Sequence, residues 1–388
     1  MKGVPRYAIA GAVALVVTAI ASSGRVTPYD NYVLLAQALR AGHLWITWPG
    51  PFIDAVQYGG LWYVIEAPLP ALLLLPASAL GNLAQSLLSI VLTGVAVGAA
   101  WELGSRLGLR PGANAWICAF LLAGTDLLWC GMLGGVWFLA HVGAVCFTLL
   151  ALVELCGKRR AWLVMLWAAC AFESRFSLVL AVPVYAYVIL STAGVRERRA
   201  RIAGMLAVLV PVAVGWLSYN ELRFGTWDDI GYTLWFHSDP EGMPTGSPFA
   251  LRYLVMQFSS FFVQWPSFVN AYPWIVPSYS TAFPTGPTSL AITWTSPGLL
   301  LAFFARAPRR LVGSLWAATV LCAAPNFFYY VNGFQQFGMR HALDFEPFAL
   351  ALMMLAARER LPRWAMALMA YSIAVGLWGC WYWQSVVR

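Results

Sequence analysis

The chain has 388 residues, of which 61% are apolar and 10% charged, against about 45–50% and about 25% in a soluble globular protein. That composition excludes a water-soluble enzyme, and the apolar residues suffice for roughly ten to twelve membrane crossings of about 20 residues each. The net charge of +8 is no nucleic-acid signal, because the basic residues sit in short loops between apolar runs. No polar or charge-run linker divides the chain, so residues 1–388 read as a single transmembrane domain. The seven cysteines lie in or beside apolar runs without CxxC spacing or nearby histidine pairs, which points to neither zinc nor a disulfide framework.

Lys2 and Arg6 precede an apolar run over 7–22, which ends in small residues and is read as an uncleaved first span rather than a signal peptide. Further runs cover roughly 84–103, 113–128, 136–155, 161–172, 176–190, 202–220, 291–305, 311–331, 342–356 and 364–382, eleven in all. The stretch 67–80 is short for a span and carries Pro68, Pro70 and Pro76, so it is read as re-entrant or interfacial. Cytoplasmic loops are enriched in Lys and Arg. With the amino terminus inside, this assignment places 17 of the 24 basic residues and only four of the 16 acids on the inner side. Counting 67–80 as a span would reverse every later loop and erase that asymmetry. The expected fold is all-α, a polytopic membrane protein of about 11 transmembrane helices with in-plane amphipathic helices in the first outer loop.

Two long segments then face outside, 23–83 and 221–290, and the active-site region is expected there. In the first, Pro28-Tyr29-Asp30-Asn31-Tyr32 leads into an amphipathic stretch over 33–41, read as an in-plane helix. Asp30 is either a general base or a helix N-cap. Asp54 and Glu66 flank Gln57-Tyr58-Gly59-Gly60-Leu61-Trp62-Tyr63, read as a turn between two short extended or helical pieces, and each acid taken alone reads as a solvated loop acid. The second loop is rich in aromatics, which usually form an interfacial belt, and holds a second candidate in-plane helix over 248–263.

Glu173-Ser174-Arg175 falls between two runs that are short for a bilayer, so the triplet is placed in a polar recess at the outer boundary, with an internal Glu–Arg pair as the plain reading. The window from Asn332 to Pro347, which contains Gln336, Arg340, His341 and Asp344, is the most polar in the last third of the chain. Arg340 and His341 supply a forked donor and a second donor, a natural anion clamp; the competing reading pairs Arg340 with Asp344 at i,i+4. His43, His141 and His237 are isolated and no HExxH occurs, so no protein-built metal site is expected. The absence of a Gly-rich phosphate loop, a GxSxG elbow or a dinucleotide fingerprint argues against nucleotide-driven chemistry.

Taken together, these pieces resemble the GT-C superfamily of integral-membrane glycosyltransferases, which includes protein O-mannosyltransferases and lipid A aminoarabinose transferases. The resemblance rests on the first span followed by Asp30 and the helix ending Ala41-Gly42-His43-Leu44, on Gly60-Leu61-Trp62-Tyr63 running into Pro68 and Pro70, and on Gly124-Thr125-Asp126. It continues through Asn220-Glu221-Leu222-Arg223-Phe224-Gly225-Thr226, Thr295-Ser296-Pro297, and Phe337-Gly338-Met339-Arg340-His341 with Asp344 and Pro347. It is one of layout more than of strict motif, and runs from residue 1 to about 360. It implies that Asp30 is the catalytic base. The Asp-Glu pair common in the family is Asp30-Asn31 here, so a second acid would come from elsewhere, with Asp54 the candidate. An Arg that many members carry early in the following span is replaced by Gln85, which moves donor-phosphate binding to Arg340 and His341, with Arg175, and leaves Glu173, Gln336, Tyr63 and Glu66 as supporting residues. The implied reaction transfers a sugar from a polyprenyl-phosphate donor to an acceptor hydroxyl of a glycan, lipid or protein on the periplasmic face of a bacterial inner membrane, with inversion, among membrane lipids and without nucleic acid. The flanks 67–80 and 248–263 would hold the prenyl chain. No cofactor is needed by a carboxylate base, though two outer acids could recruit a divalent metal. A lipid-linked sugar flippase or other secondary transporter is the alternative, but it should show internal repeats and mid-membrane polar residues, whereas the ionisable groups here crowd the outer boundary.

Overall fold

The computed structural model of the chain describes residues 4–48, 50, 54–239, 242–277, 289–333 and 336–387. It is helical almost throughout. The first helix, α1 (Arg6–Ser22), is followed by α2 (Asn31–Arg40), a hairpin of β1 (Ala55–Tyr58) and β2 (Leu61–Val64), and the short α3 (Leu69–Leu74), which continues as a 3-10 turn to Leu80. Then come α4 (Asn82–Arg106), α5 (Pro111–Ala123), α6 (Leu127–Leu133), α7 (Val136–Leu155), α8 (Ala161–Phe172), α9 (Val182–Ser191) and α10 (Val195–Phe224). The second half holds α11 (Gly231–Ser238), α12 (Leu254–Phe262), α13 (Ile292–Thr295), α14 (Arg309–Phe328), α15 (Glu346–Ala357) and α16 (Arg363–Ser385).

At the centre, α7 packs between α4 and α8, and α1 lies along α4. The α1–α4 contact is close because small residues line it. A Cβ on Gly11 would stand 2.9 Å from the carbonyl oxygen of Gly94 and 3.6 Å from Cα of Gly98, the small-residue packing by which membrane helices bring their backbones together. By contrast α10 exposes Leu206, Val210 and Val214, spaced by one turn, away from the protein, as a helix does when one whole side meets lipid.

Each of the eleven apolar runs folds wholly or largely as helix, but length assigns fewer crossings than the sequence count. Among the described residues, five helices are long and apolar enough to span (α4, α7, α10, α14 and α16), and six if the bent pair α5 and α6 counts as one. The others are short for a core of about 30 Å: α8, with 12 residues, reaches only about 18 Å at 1.5 Å per residue. The run expected over 113–128 is not one helix either. It breaks at Gly124, Thr125 and Asp126 and turns by 50° into α6.

The segment 23–83, expected to face outside, is more deeply packed than an in-plane helix would be. Asn31, Tyr32, Val33, Leu35, Ala36 and Ala38 of α2 are all buried, because the turn over 69–80 folds across the helix. Gln37 Nε2 donates to the Ser78 carbonyl at 3.0 Å, and Arg40 Nη1 to Ser78 Oγ at 3.0 Å. The piece around Gly59-Gly60 is extended, an antiparallel hairpin pairing Ala55 with Val64. Its two-residue turn puts Gly59 at φ 58° and Gly60 at φ 81°, a left-handed pair that favours glycine and matches strand twist. In the segment 221–290 the helix expected over 248–263 starts later, as a 3-10 turn from Leu251 that leads into α12. A minor hairpin pairs β3 (Ser267–Phe268) with β4 (Ile275–Val276). Residues 278–288 of that segment lie outside the described residues.

Candidate active site

Pro347, in the first turn of α15, cannot extend the helix backwards through its own nitrogen. The preceding residues Arg340–Asp344 instead form a 3-10 turn buried at the end of the bundle. Asp344 is fully enclosed there. It accepts hydrogen bonds from Arg175 Nε (3.2 Å, to Oδ1) and Nη2 (3.0 Å, to Oδ2), from Ser177 Oγ at 2.7 Å and from Asn326 Nδ2 at 3.1 Å. His141 Nδ1 adds a contact of 3.1 Å to Oδ1. A buried carboxylate is tolerated only with such a full set of donors and a paired cation.

Arg175 also reaches His341: its Nη2 lies 3.2 Å from His341 Nδ1. Arginine can only donate, so Nδ1 accepts and the imidazole proton is assigned to Nε2. That Nε2 is buried and meets no hydrogen-bond partner among the described residues. Beside it, the buried Arg340 guanidinium lies 5.8 Å from the Trp137 ring centroid and 5.3 Å from that of Phe138, within cation–π range. Trp137 and His141, one turn apart near the start of α7, thus address the two halves of the cluster. Asp126, at the bend between α5 and α6, is pressed against Gly338, where any Cβ would overlap its carboxylate. The backbone before Arg340 is thereby fixed.

The acids come from the segment 23–83. Trp137 Nε1 donates to Asp54 Oδ2 at 2.6 Å; burial pushes the Asp54 carboxyl up to about 6, against the opposing pull of that hydrogen bond and of Arg340. Glu66 is buried with neither carboxyl oxygen hydrogen-bonded among the described residues, and burial together with the nearby Asp54 holds it well above the usual carboxylate range. Asp30 is half-buried at the N-cap of α2, yet its side chain makes no cap hydrogen bond, and burial raises its pKa. Its two neighbours are tied to the Asp54 unit. The Tyr29 ring lies 4.8 Å from that of Trp137, and Asn31 Nδ2 donates to the Asp54 carbonyl at 3.3 Å.

The structure brings together Asp54, Glu66, Arg175, Arg340 and His341, with Asp30 at their edge, and it redistributes the expected pairings. Arg175 pairs with Asp344 rather than with Glu173, and Asp344 is taken by Arg175 and His141 rather than by Arg340. The reason is that a turn between α8 and the 3-10 segment Phe176–Ala181 aims Arg175 inward while Glu173 is left half-buried, its carboxyl raised to about 7 by desolvation. Neither Asp54 nor Glu66 is a solvated loop acid, because the hairpin turns both back onto the bundle. Tyr63 packs edge-on against Phe224 at 5.5 Å, below the hairpin. Gln336 is buried and donates to the Asn332 carbonyl at 2.7 Å. Gln85, where the resemblance puts an Arg in other members, clamps backbone, donating to the carbonyls of Tyr29 (2.7 Å) and Gly134 (2.9 Å). Reading the sequence missed His141, Trp137, Ser177 and Asn326. The i,i+4 spacing of Trp137 and His141 on one apolar helix was the available signal for the first two; Ser177 and Asn326 carried none.

Solved structures that share this fold include ArnT from Cupriavidus metallidurans bound to undecaprenyl phosphate, with a TM-score of 0.54 and 15% identity over 94% of this chain and 62% of that one. The same protein in the apo state matches with a TM-score of 0.50 and 15% identity, over 90% and 59%. The chain thus spans about three fifths of the length of these proteins. No family model and no curated protein sequence matches it. The likeness is therefore one of fold alone.

Proposed function

From that shared fold, we propose that this chain is a polyprenyl-phosphate-dependent membrane glycosyltransferase, moving a sugar to an acceptor hydroxyl at the periplasmic face with inversion of the anomeric carbon. The observation that carries the reading is the convergence, at one end of the bundle, of the buried Arg340 guanidinium and His341 Nε2 with carboxylates whose proton affinity is raised. Asp30 is the base. Its half-buried carboxylate is not engaged as a helix cap. As the acceptor oxygen attacks the anomeric carbon, Asp30 takes its proton, the bond from that carbon to the phosphate oxygen breaks, and the lipid phosphate leaves with the electron pair. A single in-line displacement of this kind inverts the centre.

The departing phosphate gains charge, and donors already aimed at it are the largest electrostatic contribution such a site makes. Arg340 supplies a fork and His341 a neutral N–H, while Arg175 fixes the tautomer of His341 and balances Asp344. Asp54 is the second acid, held by Trp137 beside the base. Loss of donor binding is the test of the clamp. Arg340→Ala should bind polyprenyl phosphate about 2–5 kcal/mol more weakly, as for removal of one partner from a buried charge-assisted contact, measured by titration of the purified protein in nanodiscs. Unchanged affinity would refute the assignment.

A further inference from the structure

At the far end of α7, roughly 27 Å from Trp137 at 1.5 Å per residue, a cavity of about 380 Å³ opens among the C-terminal ends of α4, α7, α9 and α15 and the start of α14. Four arginines line it, Arg106, Arg159, Arg310 and Arg358, and no acid does. Two are braced. Arg106 Nε donates to Glu102 at 2.8 Å, and Arg159 Nε to the Leu155 carbonyl at 3.1 Å. Arg310 and Arg358 are exposed and make no hydrogen bond or ion pair among the described residues. Basic loops are expected on this face from the charge asymmetry alone, but a concave site with four converging guanidinium groups is not.

Two features of the backbone point the same way. Arg159, in the turn between α7 and α8, sits at φ 55°, a left-handed conformation that favours glycine, so an arginine stands in the wall against local backbone preference. Pro308 and the first turn of α14 also line the cavity. There the backbone N–H groups of Arg309, Arg310 and Leu311 precede the first intrahelical acceptor, the positive end of a 20-residue helix. The carbonyl ends of the four other helices oppose this, and the arginines more than offset them. The remaining wall is mostly apolar, with Leu107, Leu155, Leu311, Leu355 and Tyr187, and carries the hydroxyls of Ser191, Thr192 and Ser314. Tyr187 is largely exposed on the side of the bundle.

We propose that this cavity binds the phosphate headgroup of an anionic phospholipid, with the arginines on the phosphodiester and the apolar wall along the first part of the chains. Cationic pockets between helices at a cytoplasmic surface recognise such headgroups. A soluble phosphate would use the arginines and leave the apolar wall idle. The site stands apart from the proposed transfer reaction and does not rest on it.

The test measures binding of spin-labelled phosphatidylglycerol to the full chain in phosphatidylcholine nanodiscs. Arg310→Gln combined with Arg358→Gln should weaken it about 30-fold, at about one charge-contact equivalent per arginine. The control Arg196→Gln with Arg198→Gln, two exposed arginines of α10 that do not line the cavity, should leave it unchanged, and Arg310→Lys with Arg358→Lys should retain most of it. Equal weakening by the control pair, or none by the cavity pair, would reduce the cavity to general surface charge and overturn the proposal. Full displacement of the lipid probe by millimolar inorganic phosphate would assign the site to a soluble anion and overturn the lipid assignment.

Discussion

Around Trp137 and His141 the charged groups are buried and bonded to one another across distant parts of the sequence, whereas around Leu155, at the other end of the same helix, the arginines are exposed and bonded at most to near neighbours or backbone. Arg175 and Asp344 are 169 positions apart in sequence; Arg106 and Glu102 are one turn apart. The first arrangement costs desolvation and is stable only when complete, so it fixes geometry. The second is screened by water and salt and leaves its guanidinium groups available to a ligand. One helix thus presents a rigid polar cluster suited to chemistry at one end and an open cationic surface suited to lipid at the other.

Substitutions should expose that contrast as a gradient of stability effects. Arg175→Ala leaves Asp344 as an uncompensated buried charge and should destabilise the protein by about 3–5 kcal/mol, read from unfolding in detergent; a loss below about 1 kcal/mol would show the cluster to be solvated. Asp54→Asn should act in the opposite direction. Its carboxyl rises from 3.8 to about 6 on folding, so the folded state binds the proton more tightly, and the stability due to that proton, present below about pH 4, is lost as pH climbs through about 6. Asparagine keeps an acceptor for Trp137 and carries no charge. The variant should therefore be more stable than wild type by roughly 2–3 kcal/mol above pH 6, with the difference gone near pH 4; a pH-independent difference would contradict the assignment. The smallest effect belongs to the other end, where Arg310→Gln should change stability by less than about 0.5 kcal/mol.

Much of the fold is legible in the sequence because apolar periodicity and loop charge are local signals. The apolar runs that fold wholly or largely as helix follow from them. What local signals do not carry is which distant groups meet. Arg175 has Glu173 two residues away and Asp344 far away, and only the packing of the 3-10 segment Phe176–Ala181 against α14, and of α14 against α15, decides for the latter. In the same way, Asp54 and Glu66 look like loop acids until the Gly59-Gly60 turn folds the hairpin back, half-burying Asp54 and burying Glu66. The burial of α2 was hidden for the same reason, since its cover comes from a segment whose prolines read only as a break. Asp30, Arg340 and His341 were legible as candidates because they stand in polar stretches that flank apolar runs, a position visible in one dimension.

The central claim is that Asp30 takes the acceptor proton. Asp30→Asn is the direct measurement, because asparagine still suits an N-cap but cannot accept that proton. With a polyprenyl-phosphate sugar donor and the purified protein, the variant should bind donor as wild type does and turn over about 10²–10⁴-fold more slowly. Turnover within a few-fold of wild type, with donor binding intact, would contradict the account and move the base to another acid of the site.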